Sequence, residues 1–85
     1  MEKNELYGLL LNKGERDELY NLCVEFNIPI LYPNLFSKDE PHHYLWGFNQ
    51  DGIALLGTYI MRDLSKKNRV FHNIKEMKNF LKTCN

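Results

Sequence analysis

The sequence predicts a small α+β domain: two layers, an antiparallel sheet with a central β-hairpin at about residues 44–59, and amphipathic helices at about residues 13–27 and 74–83. Three observations carry that prediction. Tyr44, Trp46 and Phe48 alternate with Leu45 and Gly47, the period of a strand. Leu19, Leu22, Cys23 and Phe26 recur at i, i+3, i+4 and i+7, one face of a helix. Asn73 with Glu76 is an N-cap signature ahead of Ile74, Met77, Phe80 and Leu81.

The remaining elements follow in chain order. Glu5–Leu11 is short, apolar and followed at once by helix-start chemistry, so it reads as a strand. Asn12 with Glu15 fits a capping box, and Glu15, Asp17 and Glu18 complement the positive end of the helix dipole. Asn27 and Pro29 end the helix. Ile28–Tyr32 reads as a strand with Pro29 at its start or edge, and Asn34–Pro41 as a loop. Asn49–Gly52 is turn chemistry for a four-residue loop, and Ile53–Tyr59 is the return strand. Arg62–Asn68 reads as an exposed basic loop, and Arg69–Phe71 as a short edge strand.

Eighty-five residues make a single domain, 1–85, with little room for a deep cavity. Two cysteines, Cys23 and Cys84, are too few for a disulfide framework and read as reduced thiols of a cytoplasmic protein. No apolar run reaches the ~18–20 residues of a membrane span, and the acidic start is unlike an export signal. The zero net charge hides a split. Residues 1–59 carry four basic and nine acidic side chains, and residues 60–85 carry seven and two. A polarised chain of this kind would meet an acidic partner with its basic end.

No phosphate loop, zinc spacing or nucleophile elbow is present, and Ser37 and Ser65 have no identifiable base. His42 and His43 are adjacent, so a strand would aim them to opposite faces, and His72 is distant. The expectation is a non-enzymatic protein with no cofactor and no metal. Tyr44, Trp46 and Tyr59 are the candidate anchors for a partner, and Arg62, Lys66, Lys67 and Arg69 the steering rim. The first reading of the same aromatics is as core. Glu15, Asp17, Glu18, Glu25, Asp39 and Glu40 give an acidic surface able to imitate phosphates, or simply one that complements a helix dipole.

Ten asparagines, and eight lysines against three arginines, together with the hairpin-plus-terminal-helix layout (Tyr44–Tyr59 and Ile74–Leu81), resemble small accessory proteins of bacteriophages and mobile elements. That resemblance implies an anti-defence inhibitor or adaptor, such as an anti-CRISPR, acting on a host protein in the host cytoplasm. The alternatives are an oligomer that sequesters a nucleotide signal and a single-stranded nucleic-acid binder. A homodimer would also use surplus apolar sheet surface.

Overall fold

A computed structural model describes residues 5–36 and 44–84. The elements run β1 (Tyr7–Leu10), α1 (Arg16–Glu25), a 3-10 turn (Pro33–Phe36), β2 (Leu45–Asn49), β3 (Gly52–Leu55), α2 (Thr58–Lys66), β4 (Val70–Phe71) and α3 (Ile74–Thr83). The domain is α+β, as expected, and its four-stranded sheet has the order β3-β2-β1-β4. β2 is antiparallel to both β1 and β3, whereas β4 is parallel to β1.

The sheet topology explains the main departure from the sequence reading. β3 and β4 run in the same direction, so the chain between them must cross a sheet face, and such crossovers are usually helical. The segment expected to be the end of a strand and a basic loop is therefore α2. β3 stops at Leu55, and Gly57 is the N-cap of the new helix. The sheet is mixed, and helices cover both of its faces.

The front face carries Leu9, Trp46, Phe48 and Ile53, all fully or nearly fully buried against Leu19, Leu22 and Cys23 of α1 and Met77 and Leu81 of α3. Register places Leu9 beside Trp46, and Phe48 beside Ile53. Tyr7, Phe71 and Phe80 extend this core as a ring cluster, with Tyr7 and Phe80 centroids 4.7 Å apart. Phe36 from the 3-10 turn lies 5.0 Å from the Trp46 ring and carries the core toward Tyr20.

The back face carries a row of small residues. Val70 pairs with Gly8, Gly8 with Gly47, and Gly47 with Ala54. A Cβ at Gly8 would lie 2.6 Å from Met61 Sδ, and one at Gly47 would lie 2.5 Å from a Leu56 methyl. These two glycines open a furrow, and Met61 and Leu56 drop into it. The bare Gly8 lets Met61 bring α2 close to the sheet, and the bare Gly47 seats Leu56 of the connection that leads into it.

Both central helix stops share one device. Asn27 and Asn68 take left-handed φ of 58° and 57°. Ile28 N–H donates to Cys23 O and Asn27 N–H to Val24 O; Arg69 N–H donates to Leu64 O and Asn68 N–H to Ser65 O. Each pair is a Schellman motif, which satisfies carbonyls that a helix end otherwise leaves unpaired. At the start of α3, Asn73 Oδ1 accepts from Glu76 N–H at 2.9 Å, and Glu76 Oε2 accepts from His72 N–H at 2.8 Å. That cap was expected, as was the helix behind it.

Smaller corrections have local causes. α1 begins later than expected: Glu15 is its N-cap, and Asn12 offers its N–H to Glu15 Oε1 and does not cap with its side chain. Ile28–Tyr32 is not a strand, because Pro29 leaves only one bridge, Ile30 to Ile53. The hairpin loop is two residues, Gln50 and Asp51, since Asn49 and Gly52 still pair; Asp51 N–H donates to Asn49 Oδ1. Cys23 is buried, and both it and Cys84 are free thiols. The expected loop beyond Phe36, with Ser37, Asp39, Glu40, His42 and His43, lies outside the described residues.

Candidate functional site

α2 is amphipathic in an uneven way. Met61 and Leu64 are buried toward the sheet, while Thr58, Met61, Arg62 and Ser65 fall at i, i+3, i+4 and i+7 along one flank. That flank stands beside the part of the back face that α2 leaves open. The result is a groove of about 340 Å³. Its floor is Leu10, Leu45, Met61 and Val70, with Leu10 and Leu45 direct neighbours across β1 and β2. Its rim is Thr58, Arg62, Ser65, Lys66 and His72. An apolar floor with two cations and two hydroxyls above it suits an apolar group carried beside a carboxylate or phosphate.

The exposed surface next to the groove continues the theme. Tyr59 is 80% exposed, the most open large apolar side chain among the described residues, and Ile60 beside it is 48% exposed. The Arg62 guanidinium carbon lies 5.7 Å from the Tyr59 ring centroid, a cation–π distance. Tyrosine and arginine are, with tryptophan, the residues enriched at interface hot spots.

The structure brings only part of the expected set together. Tyr59, Arg62 and Lys66 share α2 and Lys67 is its C-cap, with Arg62 and Lys66 on the groove. Trp46 is a correction: its exposure is 0%, because Phe36 and the front-face core enclose it, so it cannot touch a partner. Phe48 is equally enclosed, so these rings offer no stacking surface for bases. Tyr44 is 40% exposed and precedes β2 in the phase of Trp46, away from the groove. Arg69 is engaged within the fold. Its Nη2 donates to Glu5 Oε1 at 3.0 Å, and its guanidinium carbon lies 5.8 Å from the Tyr7 ring centroid. The basic stretch also divides, since α2 and α3 lie on opposite sheet faces and Lys75, Lys78 and Lys82 go with α3.

Glu5 links Arg69 to Tyr7, whose hydroxyl donates to Glu5 Oε2 at 2.7 Å. That hydrogen bond, with burial and the carboxylate charge, pushes the phenol up to about 12, against a smaller opposing pull from Arg69. Burial alone pushes the Cys23 thiol up to about 12, which leaves it a small core hydrophobe and not a nucleophile at neutral pH.

Leu10, Leu45, Val70 and His72 were not singled out from the sequence. A usable signal existed in the i, i+3, i+4, i+7 spacing of Thr58, Met61, Arg62 and Ser65, which a loop does not require. Among the described residues no group of three His, Cys, Asp or Glu side chains is placed to hold a metal ion, and no helix is long and apolar enough to cross a membrane. Comparison with protein-family models, curated proteins and solved structures finds no match to this chain.

Proposed function

We propose that this chain is a non-enzymatic binding domain that docks through α2 onto an acidic segment of a partner protein. The observation that carries the reading is the apolar groove rimmed by Arg62 and Lys66 with the open Tyr59 ring alongside. An apolar side chain of the partner would enter between Leu10, Leu45 and Val70. Its carboxylates would lie against Arg62 and Lys66, and Tyr59 and Ile60 would supply the dry contact area around them. An inhibitor or adaptor acting on a host protein, the class that the size and composition resemble, would use such a face.

The test is an amide NMR titration with a synthetic peptide carrying one leucine among glutamates. The expected shifts centre on Leu10, Leu45, Val70 and α2, and shrink as salt rises because exposed charge pairs are screened. A control peptide with lysines in place of the glutamates should leave those signals unmoved. Equal responses to both peptides, or none to either, would remove the reading.

A further inference from the structure

The rim of the groove holds one side chain whose charge is not fixed. His72 lines it together with Arg62 and Lys66. It stands two positions after Val70 of the floor, and so leaves the end of β4 toward the same face. Its backbone is held from both directions. Phe71 before it pairs with Leu9, and its own N–H donates to Glu76 Oε2 at 2.8 Å within the cap of α3. The residue is nonetheless exposed, so the imidazole meets water while staying beside the groove. Charge reaches it from two elements. Arg62 and Lys66 of α2 oppose a proton on the ring, whereas α3 brings the Glu76 carboxylate to its backbone, with the exposed Lys75 just ahead of Glu76 in the chain. β1 and β2 contribute only Leu10 and Leu45, and no carboxylate lines the groove itself.

We propose that His72 is a third, proton-dependent cation of this groove, which joins Arg62 and Lys66 against a partner's carboxylates and makes the groove hold an acidic segment more tightly as pH falls. The inference rests on the groove reading above and adds its regulation. Histidine is the side chain whose charge ordinarily changes between about pH 8 and about pH 5. Without a partner, a proton on the ring is repelled by the two cations of α2. A bound carboxylate screens that repulsion and attracts the imidazolium. Binding and protonation therefore favour each other, and by the same factor. For charge pairs at a solvent-exposed rim that factor is about two to five. The sign is fixed by the partner's charge: a basic segment would bind more weakly toward acid.

The affinity of the full chain for the leucine–glutamate peptide, with both peptide ends blocked, tests this by the same amide titration at about pH 8 and about pH 6. Glutamates ordinarily titrate near ~4.3, so the peptide keeps its charge at both. The wild type should bind about two- to fivefold more tightly at the lower pH. His72→Gln should bind with one affinity at both. His42 and His43 remain in that variant, so a flat profile assigns the effect to His72. His72→Lys should also be flat, but at the tighter level, because its charge does not come and go. Both substitutions keep the backbone N–H that the Glu76 carboxylate accepts, so the cap of α3 is spared. A wild-type affinity that stays level or weakens toward acid, or a slope that survives in His72→Gln, would overturn the inference. If the peptide then still shifts Leu10, Leu45 and Val70 at both pH values, the groove reading stands without it. A peptide that binds at neither removes both.

Discussion

Replacing Gly8 by alanine probes the seating of α2, and so the groove, with a single methyl group. No unusual backbone angle protects this glycine, so alanine is conformationally free to sit there and the effect is steric. The added carbon would stand 2.6 Å from Met61 Sδ, 3.3 Å from its terminal methyl and 3.2 Å from a Val70 methyl. Ordinary contact begins near 3.4 Å, so Met61 must move, but the atoms in the way are the flexible end of its side chain, which can swing toward the groove it lines, so the cost falls at the low end of overpacking. Overpacking of this kind costs about 1–3 kcal/mol. Loss of glycine's freedom in the unfolded chain returns about 0.4–1 kcal/mol. At the low end of that cost the clash still outweighs the return, for a net loss of about 0.5–1 kcal/mol, which at ~4–8 °C per kcal/mol lowers Tm by roughly 2–8 °C. Urea unfolding followed by circular dichroism, on Gly8→Ala, Met61→Ala and the pair, separates the sources. Met61→Ala alone should cost about 2–5 kcal/mol through lost burial and the cavity left behind. The double variant should cost less than the sum by about 1 kcal/mol, since each change relieves the other. Strict additivity, or a neutral Gly8→Ala, would refute the account of how α2 is seated.

Three further outcomes follow, two from the helix ends and one from the raised acids. Asn73→Ala should lose about 1 kcal/mol and Asn73→Asp very little, since the aspartate oxygen can still accept from Glu76 N–H. Asn68→Ala should lose about 1–2 kcal/mol while Asn68→Gly holds or gains, because only the left-handed backbone is at stake; equal losses from alanine and glycine would show the side chain matters instead. At high pH the folded chain holds two protons that the unfolded chain releases, from Cys23, whose ordinary value is 9.0, and from Tyr7, at 10.0, both pushed to about 12. Their contribution is whole below pH 9 and is lost between there and about pH 12. Tm should therefore start to fall near pH 9, with Cys23→Ala removing the earliest part of the fall and Tyr7→Phe part of the rest; a flat profile from pH 9 to 11 would contradict the burial of the thiol.

What was legible in the sequence was whatever local chemistry determines. α3 runs over Ile74–Thr83 because Asn73 and Glu76 fix its start and four apolar residues fix its face. The hairpin forms where aromatic alternation meets Asn49–Gly52, although its turn is tighter than the composition suggested. α2 was hidden because Ile53–Ile60 is apolar on every side, and an apolar run of that length fits strand or helix alike. The deciding fact is that β4 pairs with β1 in parallel, a relation between residues 70–71 and 8–9 that no local window contains. Once that pairing is fixed, the intervening stretch has to cross the sheet. The site followed the same rule. Arg62, Lys66 and Tyr59 were legible as exposed charge and ring, but the floor they border comes from β1, β2 and β4 and exists only after the sheet is assembled. Trp46 was ambiguous for the opposite reason: a two-layer reading left too little helix to hide it, and Phe36, placed by the 3-10 turn, closes over it.

The central place of β1 also bears on how the protein comes off the ribosome. β1 precedes the other described strands and has neighbours on both sides, both encoded far downstream, one in the hairpin and one just before α3. During synthesis β1 first acquires only its β2 neighbour, and its other flank stays bare until β4 is translated. Tyr7 waits just as long for Phe71 and Phe80. A nascent chain stalled before β4 would thus display an unpaired strand flank and an aromatic ring together, the combination that invites chaperones and mispairing alike.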